Sequence, residues 1–266
     1  MSEEQKEPKG TALVTGASAG LGKELASLFS KDGHDVVIVA RSKSKLEALA
    51  ADLEKTNGTK VHVVAADLGD AGAPKAIFEE TKKRGLQIDY LVNNAGFGSN
   101  GAFLELDLDR EVQMIDVNIT ALTRLTHLYG RPMKERGFGR ILNIASTAGF
   151  QPGPFMATYY ATKAYVVMFS EALAYELDGS GVTVTCHCPG ATATEFATTA
   201  GNDKSKLFQR SGVAAAKEVA LHAYKAMHKG EILAVHGFLN SFGVAALRIT
   251  PRSVVRSIAA GMNKPA

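Results

Sequence analysis

Tyr159 and Lys163 stand four residues apart in the run Tyr159-Tyr160-Ala161-Thr162-Lys163. On a helix that spacing puts both side chains on one face. A tyrosine at its ordinary pKa of about 10 exchanges protons poorly at neutral pH. A nearby ammonium favours the phenolate and lowers that value. A pair tuned in this way would give a proton to a developing alkoxide or take one from an alcohol. Most Tyr-x3-Lys pairs are ordinary surface neighbours, so this one needs company. Ser146 supplies it, thirteen residues before Tyr159, at the end of the apolar run that closes in Ile144-Ala145-Ser146. A hydroxyl at the carboxyl end of a strand can hydrogen-bond a substrate oxygen as charge builds there. Asn118, in Asp116-Val117-Asn118, falls inside a long helical pattern. Asparagine is mildly unfavourable in a helix interior, which asks for a packing, kinking or functional reason. Tyr160 competes for the tyrosine role, but only Tyr159 has the Lys163 spacing.

A second constellation points to a nucleotide. The first apolar run ends in Thr15-Gly16-Ala17-Ser18-Ala19-Gly20-Leu21-Gly22 and leads into a helical pattern. Glycines at such a place permit a tight turn, close backbone approach to a ligand and close helix–sheet contact. The helix N-terminus that follows offers free N–H groups and positive dipole character to a phosphate. After the second run many dinucleotide-binding folds carry a carboxylate for the adenosine ribose; here the chain reads Val39-Ala40-Arg41-Ser42. A carboxylate would repel a 2′-phosphate, whereas arginine holds one through forked hydrogen bonds, with Ser42 and Lys43 as helpers.

The spacing Thr15-Gly16-x3-Gly20-x-Gly22, the Asn93-Asn94-Ala95-Gly96 motif after the fourth run, and the Tyr159/Lys163 pair with Ser146 ahead of it agree in order and distance. On these motifs the chain resembles the short-chain dehydrogenase/reductase family over residues 10–236. The resemblance implies a tetrad of Asn118, Ser146, Tyr159 and Lys163, with Asn118 holding a water that links Lys163 to solvent. It implies cofactor contacts from Gly16, Ser18, Gly20, Leu21, Gly22, Asn94, Ala95 and Gly96. Asp67-Leu68 matches the family's adenine pocket, although Asp67 serves equally well as a turn cap. Pro189-Gly190 resembles the nicotinamide-side turn. Thr192 and Thr194 follow it, and Thr194 matches the family position better. With Arg41, the resemblance favours NADP(H), with NAD(H) as the alternative. Ala19 stands where many NADP-preferring relatives carry a basic residue.

Positioning these groups requires an α/β scaffold. Apolar runs at Thr11–Thr15, Val36–Ala40, Val61–Ala65, Ile88–Val92, Arg140–Ala145, Val182–His187 and Ile232–Val235 alternate with helical patterns near 20–32, 43–56, 72–84, 108–135, 157–179 and 215–229. Continuous apolar runs suit strands covered on both faces. Strands alternating with helices give right-handed crossovers and a doubly wound, three-layer Rossmann-like fold with a seven-stranded parallel sheet. The 266 residues contain no repeat or linker and read as one domain: 10–190 mainly cofactor-binding and catalytic, 191–213 a substrate loop, and 237–266 a C-terminal extension.

Composition removes other classes. A net charge of +3 is no nucleic-acid footprint, and no run of about 18 apolar residues spans a membrane. The polar N-terminus lacks the apolar stretch of a signal peptide, so the expected location is cytoplasmic. Cys186 and Cys188 alternate along one strand and read as buried on one face, with His187 pointing the other way. The remaining histidines are scattered, so no metal is expected. The tail at 247–262 puts Arg248, Arg252 and Arg256 on one helical stripe. That stripe reads as the solvated face of a packed helix, with a membrane-interfacial helix as the rival and no stable insertion.

These residues together predict an oxidoreductase that interconverts a carbonyl and an alcohol, with Tyr159 as the acid/base. Phe97, Phe150, Pro152, Pro154, Phe155, Met156, Phe196 and Phe208 would give it a largely apolar pocket. A non-catalytic dinucleotide sensor on the same fold is the rival reading, and the complete tetrad argues against it. The resemblance also implies a homo-oligomer, dimer or tetramer, built through the long helices that carry Asn118 and Tyr159.

Overall fold

A computed structural model describes residues 9–195 and 213–265. Seven parallel strands form one sheet in the order β3-β2-β1-β4-β5-β6-β9. Their bounds are β1 Thr11–Thr15, β2 Asp35–Ala40, β3 Val61–Ala65, β4 Ile88–Asn93, β5 Gly139–Ile144, β6 Val182–Cys188 and β9 Leu233–Val235. A short parallel pair, β7 Thr192–Ala193 and β8 Ala214–Ala215, lies apart from that sheet. The strand order reverses direction between β1 and β4, and the carboxyl-end crevice at such a switch point is where open α/β sheets bind ligands.

Continuous apolar strands give each face its own core. Ala12, Val14, Val36 and Ile38 pack on one side with α1 (Gly20–Lys31), α2 (Lys43–Asn57) and α7 (Ala216–His228). Leu13, Val37 and Val39 pack on the other with α3 (Ala73–Lys83) and α5 (Leu122–Arg136). The sheet is thus sandwiched between helices, as the alternation of patterns predicts.

The helical pattern at 108–135 is not one helix. It resolves into α4 (Leu108–Ile115), a π-helical turn over Asp116–Ala121, and α5. Asn118 sits in the π turn, a local widening often found at functional sites. The next long helix, α6 (Ala157–Glu176), carries Tyr159 and Lys163. Beyond β9 the C-terminal extension forms α8 (Phe238–Ala246) and α9 (Arg252–Asn263). On α9, Val255, Ala259 and Asn263 are buried while Arg252 and Arg256 are exposed. This helix packs on the body with a solvated arginine flank.

Cys186 and Cys188 are fully buried beneath the site, Sγ to Sγ 3.8 Å. His187 faces the opposite core, where its Nε2 lies 3.0 Å from His222 Nδ1 and the His222 and His236 rings lie 5.2 Å apart. The chain therefore gathers three of the histidines that look scattered in sequence. Burial, helped by these neighbours, pushes His187 down to about 3. Among the described residues no group of three His, Cys, Asp or Glu side chains is placed to hold a metal.

Candidate active site

A cavity of about 880 Å³ opens at the carboxyl ends of the strands. One end begins at the turn after β1. Gly16 and Gly20 adopt φ of +66° and +54°, a region costly for other residues. A Cβ on Gly22 would collide with the Gly16 carbonyl, and one on Gly16 would lie 2.9 Å from Ala95 Cα. The glycines thus let three backbone segments meet where a bulkier ligand-facing turn could not form. Thr15 ties this turn to β4: its hydroxyl donates to Val92 O (3.1 Å) and accepts from the Asn94 and Ala95 N–H groups (3.0 Å each). Asn94 Nδ2 returns a bond to Thr15 O at 2.8 Å. This explains why Asn follows β4 and Thr precedes Gly16.

Gly16, Ser18, Gly20 and Leu21 line the cavity, and so do Asn94, Ala95 and Gly96; Gly22 sits behind them. Arg41 and Ser42 line it at the end of β2. Lys43 does not: it pairs with Glu47 at 3.6 Å, and the second cation on the wall is Lys45, held 3.5 Å from Glu195. The helix turns residue 43 outward and residue 45 inward, a phase that the strand-end position alone leaves open. Asp67 and Leu68 line the wall. Asp67 also accepts from Gly69 N at 2.9 Å, so its turn-cap role is present. Pro189, Gly190, Thr192 and Thr194 line the opposite rim. A Cβ built on Gly20 would lie 3.2 Å from Thr194, so Thr194 directly overlies the glycine turn.

Ser146, Tyr159 and Lys163 converge at the other end. Ser146 caps a short 3-10 turn, its Oγ accepting from Ala148 N (3.1 Å) and donating to Pro189 O (3.4 Å). It also hydrogen-bonds Tyr159. Lys163 donates from Nζ to Ile144 O at 2.8 Å and lies 5.9 Å from the Tyr159 ring centre. Asn118 is buried behind this group. Its Oδ1 accepts from Phe97 N (3.1 Å) and its Nδ2 donates to Phe97 O and Thr162 Oγ1 (3.0 Å each). A Cβ on Gly96 would meet Asn118 Oδ1 at 2.9 Å and Lys163 Nζ at 3.6 Å, so the two groups flank Gly96.

The electrostatics differ from the sequence expectation. In the chain by itself Tyr159 is not lowered by Lys163. Burial raises it well above the ordinary tyrosine range, the Ser146 hydrogen bond offsets part of that, and Tyr160 adds to the rise. Burial likewise pushes Lys163 down to about 8, against an opposing pull from the thiols of Cys186 and Cys188. Desolvation dominates both groups.

The apolar end of the cavity is walled by Phe97 and Met156, as expected, but not by Phe150, Pro152, Pro154 or Phe155. Phe150 packs instead with the buried cysteines. Phe155 takes φ +66°, and its carbonyl accepts from Gly101 N at 2.9 Å. Phe196 and Phe208 lie outside the described residues. The C-terminal helices supply what the sequence reading missed: Leu239 and Val244 from α8, Leu247, and Val255, Ile258 and Met262 on α9. The available signal was apolar spacing within 239–262, with nothing to say which way it faced.

Asn263 closes that wall. It is fully buried, its Oδ1 accepts from Tyr160 OH (3.3 Å), its Nδ2 donates to Pro154 O (3.2 Å), and its own carbonyl accepts from Asn100 Nδ2 (2.7 Å). Tyr160, the rival tyrosine, is therefore committed to the C-terminal helix. Asn263→Ala leaves Tyr160 OH and Pro154 O without partners and should cost about 1–3 kcal/mol. Denaturant unfolding monitored by circular dichroism checks this; an unchanged midpoint would remove the latch.

The glycine turn, the strand order and the converging Ser146, Tyr159 and Lys163 define a dinucleotide-binding oxidoreductase architecture. The short chain dehydrogenase family model matches residues 10–205, and the chain belongs to that family. The chain is 38% identical over 180 residues to the ketoacyl reductase HetN of Nostoc, a match covering 68% of this chain and 62% of that one. It is 38% identical over 184 residues to a very-long-chain 3-oxoacyl-CoA reductase of Pyrenophora tritici-repentis, covering 67% and 54%. These matches span less than two thirds of either relative's length. Among solved structures, a short-chain dehydrogenase from Sphingobium yanoikuyae in complex with NADPH shares 34% identity, covers 90% of this chain and 94% of its own, and superposes with a TM-score of 0.81.

Proposed function

We propose that the chain is an NADP(H)-dependent oxidoreductase that reduces a carbonyl on a largely apolar substrate to the alcohol. The observation that carries this reading is the convergence of Ser146, Tyr159 and Lys163 in one end of a cavity whose other end is the glycine turn and Arg41. The glycine cradle fits a dinucleotide: its free backbone and the N-terminus of α1 suit a diphosphate, and Arg41 with Lys45 suits a 2′-phosphate. Asp67 and Leu68 would border the adenine, and Pro189, Gly190, Thr192 and Thr194 the nicotinamide side. The bound cofactor supplies hydride.

The chain's own residues do the rest. Ser146 presents its hydroxyl to the substrate oxygen. Tyr159, kept as the neutral phenol by burial, donates its proton to the oxygen as negative charge develops there. Lys163 holds the ribose of the nicotinamide half and brings positive charge to the phenol as the proton leaves. Asn118 acts by position: with its amide engaged on Phe97 and Thr162, it fixes the main chain beside Lys163, where a proton is refilled. The same groups serve alcohol oxidation. The relatives' names, ketoacyl and 3-oxoacyl-CoA reductases, support a carbonyl on an apolar body.

We read the chain as one domain in a cytoplasmic, homo-oligomeric protein. Among the described residues no helix is long and apolar enough to cross a membrane. The assembly reading rests on exposed stripes along the long helices. Tyr165, Met168 and Tyr175 of α6 are exposed on one face, and Leu108, Val112 and Ile115 are exposed on α4, the helix packed beside it. Met168→Glu should shift the protein to monomer in analytical ultracentrifugation, because a charge in a helix-packed apolar seam is costly to bury. An unchanged mass would place the subunit contact elsewhere.

A further inference from the structure

Helix α8 has the sequence Phe-Leu-Asn-Ser-Phe-Gly-Val-Ala-Ala and no buried residue. Phe238, Leu239 and Phe242 are 83%, 81% and 67% exposed, and Ile249, just past the helix, is 88% exposed. Positions 238, 242, 245 and 249 follow the spacing of a single helical stripe. The other side of the helix, through Leu239, Val244 and Leu247, lines the cavity. A helix apolar on both sides is a covered helix, and the described chain covers only the cavity side. This stripe is separate from the α4 and α6 seam assigned above to self-association.

The surroundings identify the cover. Residues 232–266 contain Arg248, Arg252, Arg256 and Lys264 and no Asp or Glu. All four cations are exposed, and among the described residues none of them is in an ion pair. A second copy docking through the same patch in an isologous contact would bring two such basic sets together, with no carboxylate from residues 232–266 to offset them. Anionic headgroups supply the missing charge, and their acyl boundary takes Phe238, Phe242 and Ile249.

We propose that α8 and its flanking arginines dock the protein reversibly on an anionic lipid surface. Docking puts the mouth of the cavity, where Leu239 and Ile258 are both exposed and cavity-lining, against the bilayer. Resting on the carbonyl reductase reading, the substrate class narrows to amphiphilic carbonyls that enter from the membrane.

The test is co-sedimentation of the full chain with phosphatidylcholine vesicles, with and without phosphatidylglycerol. Binding is expected only with phosphatidylglycerol, weakened by added salt. It should fall about tenfold or more in Phe238→Ser/Phe242→Ser and in Arg248→Gln/Arg252→Gln/Arg256→Gln. The exposed serine pair should leave the thermal midpoint and NADPH turnover of a soluble ketone unchanged, which separates lost docking from misfolding. Absence of sedimentation with either vesicle overturns the proposal. So does a serine pair that instead lowers the solution mass, since a second copy would then be the cover. Vesicle binding without turnover of any carbonyl keeps the docking and fails the catalytic reading; turnover without vesicle binding does the reverse.

Discussion

Tyr159→Phe is expected to lower carbonyl reduction by about 10²–10⁴-fold while NADPH binds as before. On the proposed mechanism the phenol beside Ser146 is the proton donor, and phenylalanine keeps the ring but removes the proton. Tyr160 cannot substitute, because its hydroxyl is spent on Asn263. Binding should persist because the glycine turn, Arg41 and Lys163 are untouched. Single-turnover reduction with cofactor bound separates the effects. Turnover at the wild-type rate would remove Tyr159 from the chemistry.

Arg41→Ala should raise the Kd of NADPH by roughly tenfold to a hundredfold and leave that of NADH nearly unchanged. Charge-assisted hydrogen bonds contribute about 1.5–3 kcal/mol each, and about 1.4 kcal/mol corresponds to tenfold. The loss should fall short of complete, because Lys45 stays on the same wall. Fluorescence titration with both cofactors reads it. A wild-type protein that binds NADH as tightly as NADPH would contradict the role given to Arg41 and favour the NAD(H) reading.

The strands were legible because a sheet covered on both faces demands uninterrupted apolar runs. Thr11–Thr15 and Val61–Ala65 have the bounds that their sequence implies. The glycine turn and the Tyr159/Lys163 pair were legible because backbone conformation and helical spacing act locally. The π turn at Asp116–Ala121 was not, since no proline or glycine marks it. Nor was the inward phase of Lys45, which depends on where α2 begins. In the chain by itself the pKa of Tyr159 is set by burial among segments far apart in sequence, which spacing to Lys163 does not show. The C-terminal wall was hidden for the same reason: Val255, Ile258 and Met262 reach the cavity only once Asn263 ties α9 back to Pro154 and Asn100.

Carbonyl reduction in this cavity is the activity on which the proposed function stands. Its most direct test is NADPH absorbance followed across a panel of bulky apolar ketones and 3-oxoacyl thioesters, with product alcohol measured in parallel. The predicted result is oxidation of NADPH matched by alcohol formation on at least one apolar carbonyl, lowered about 10²–10⁴-fold in Tyr159→Phe. Tight NADPH binding with no oxidation across the panel would contradict it and leave a dinucleotide sensor.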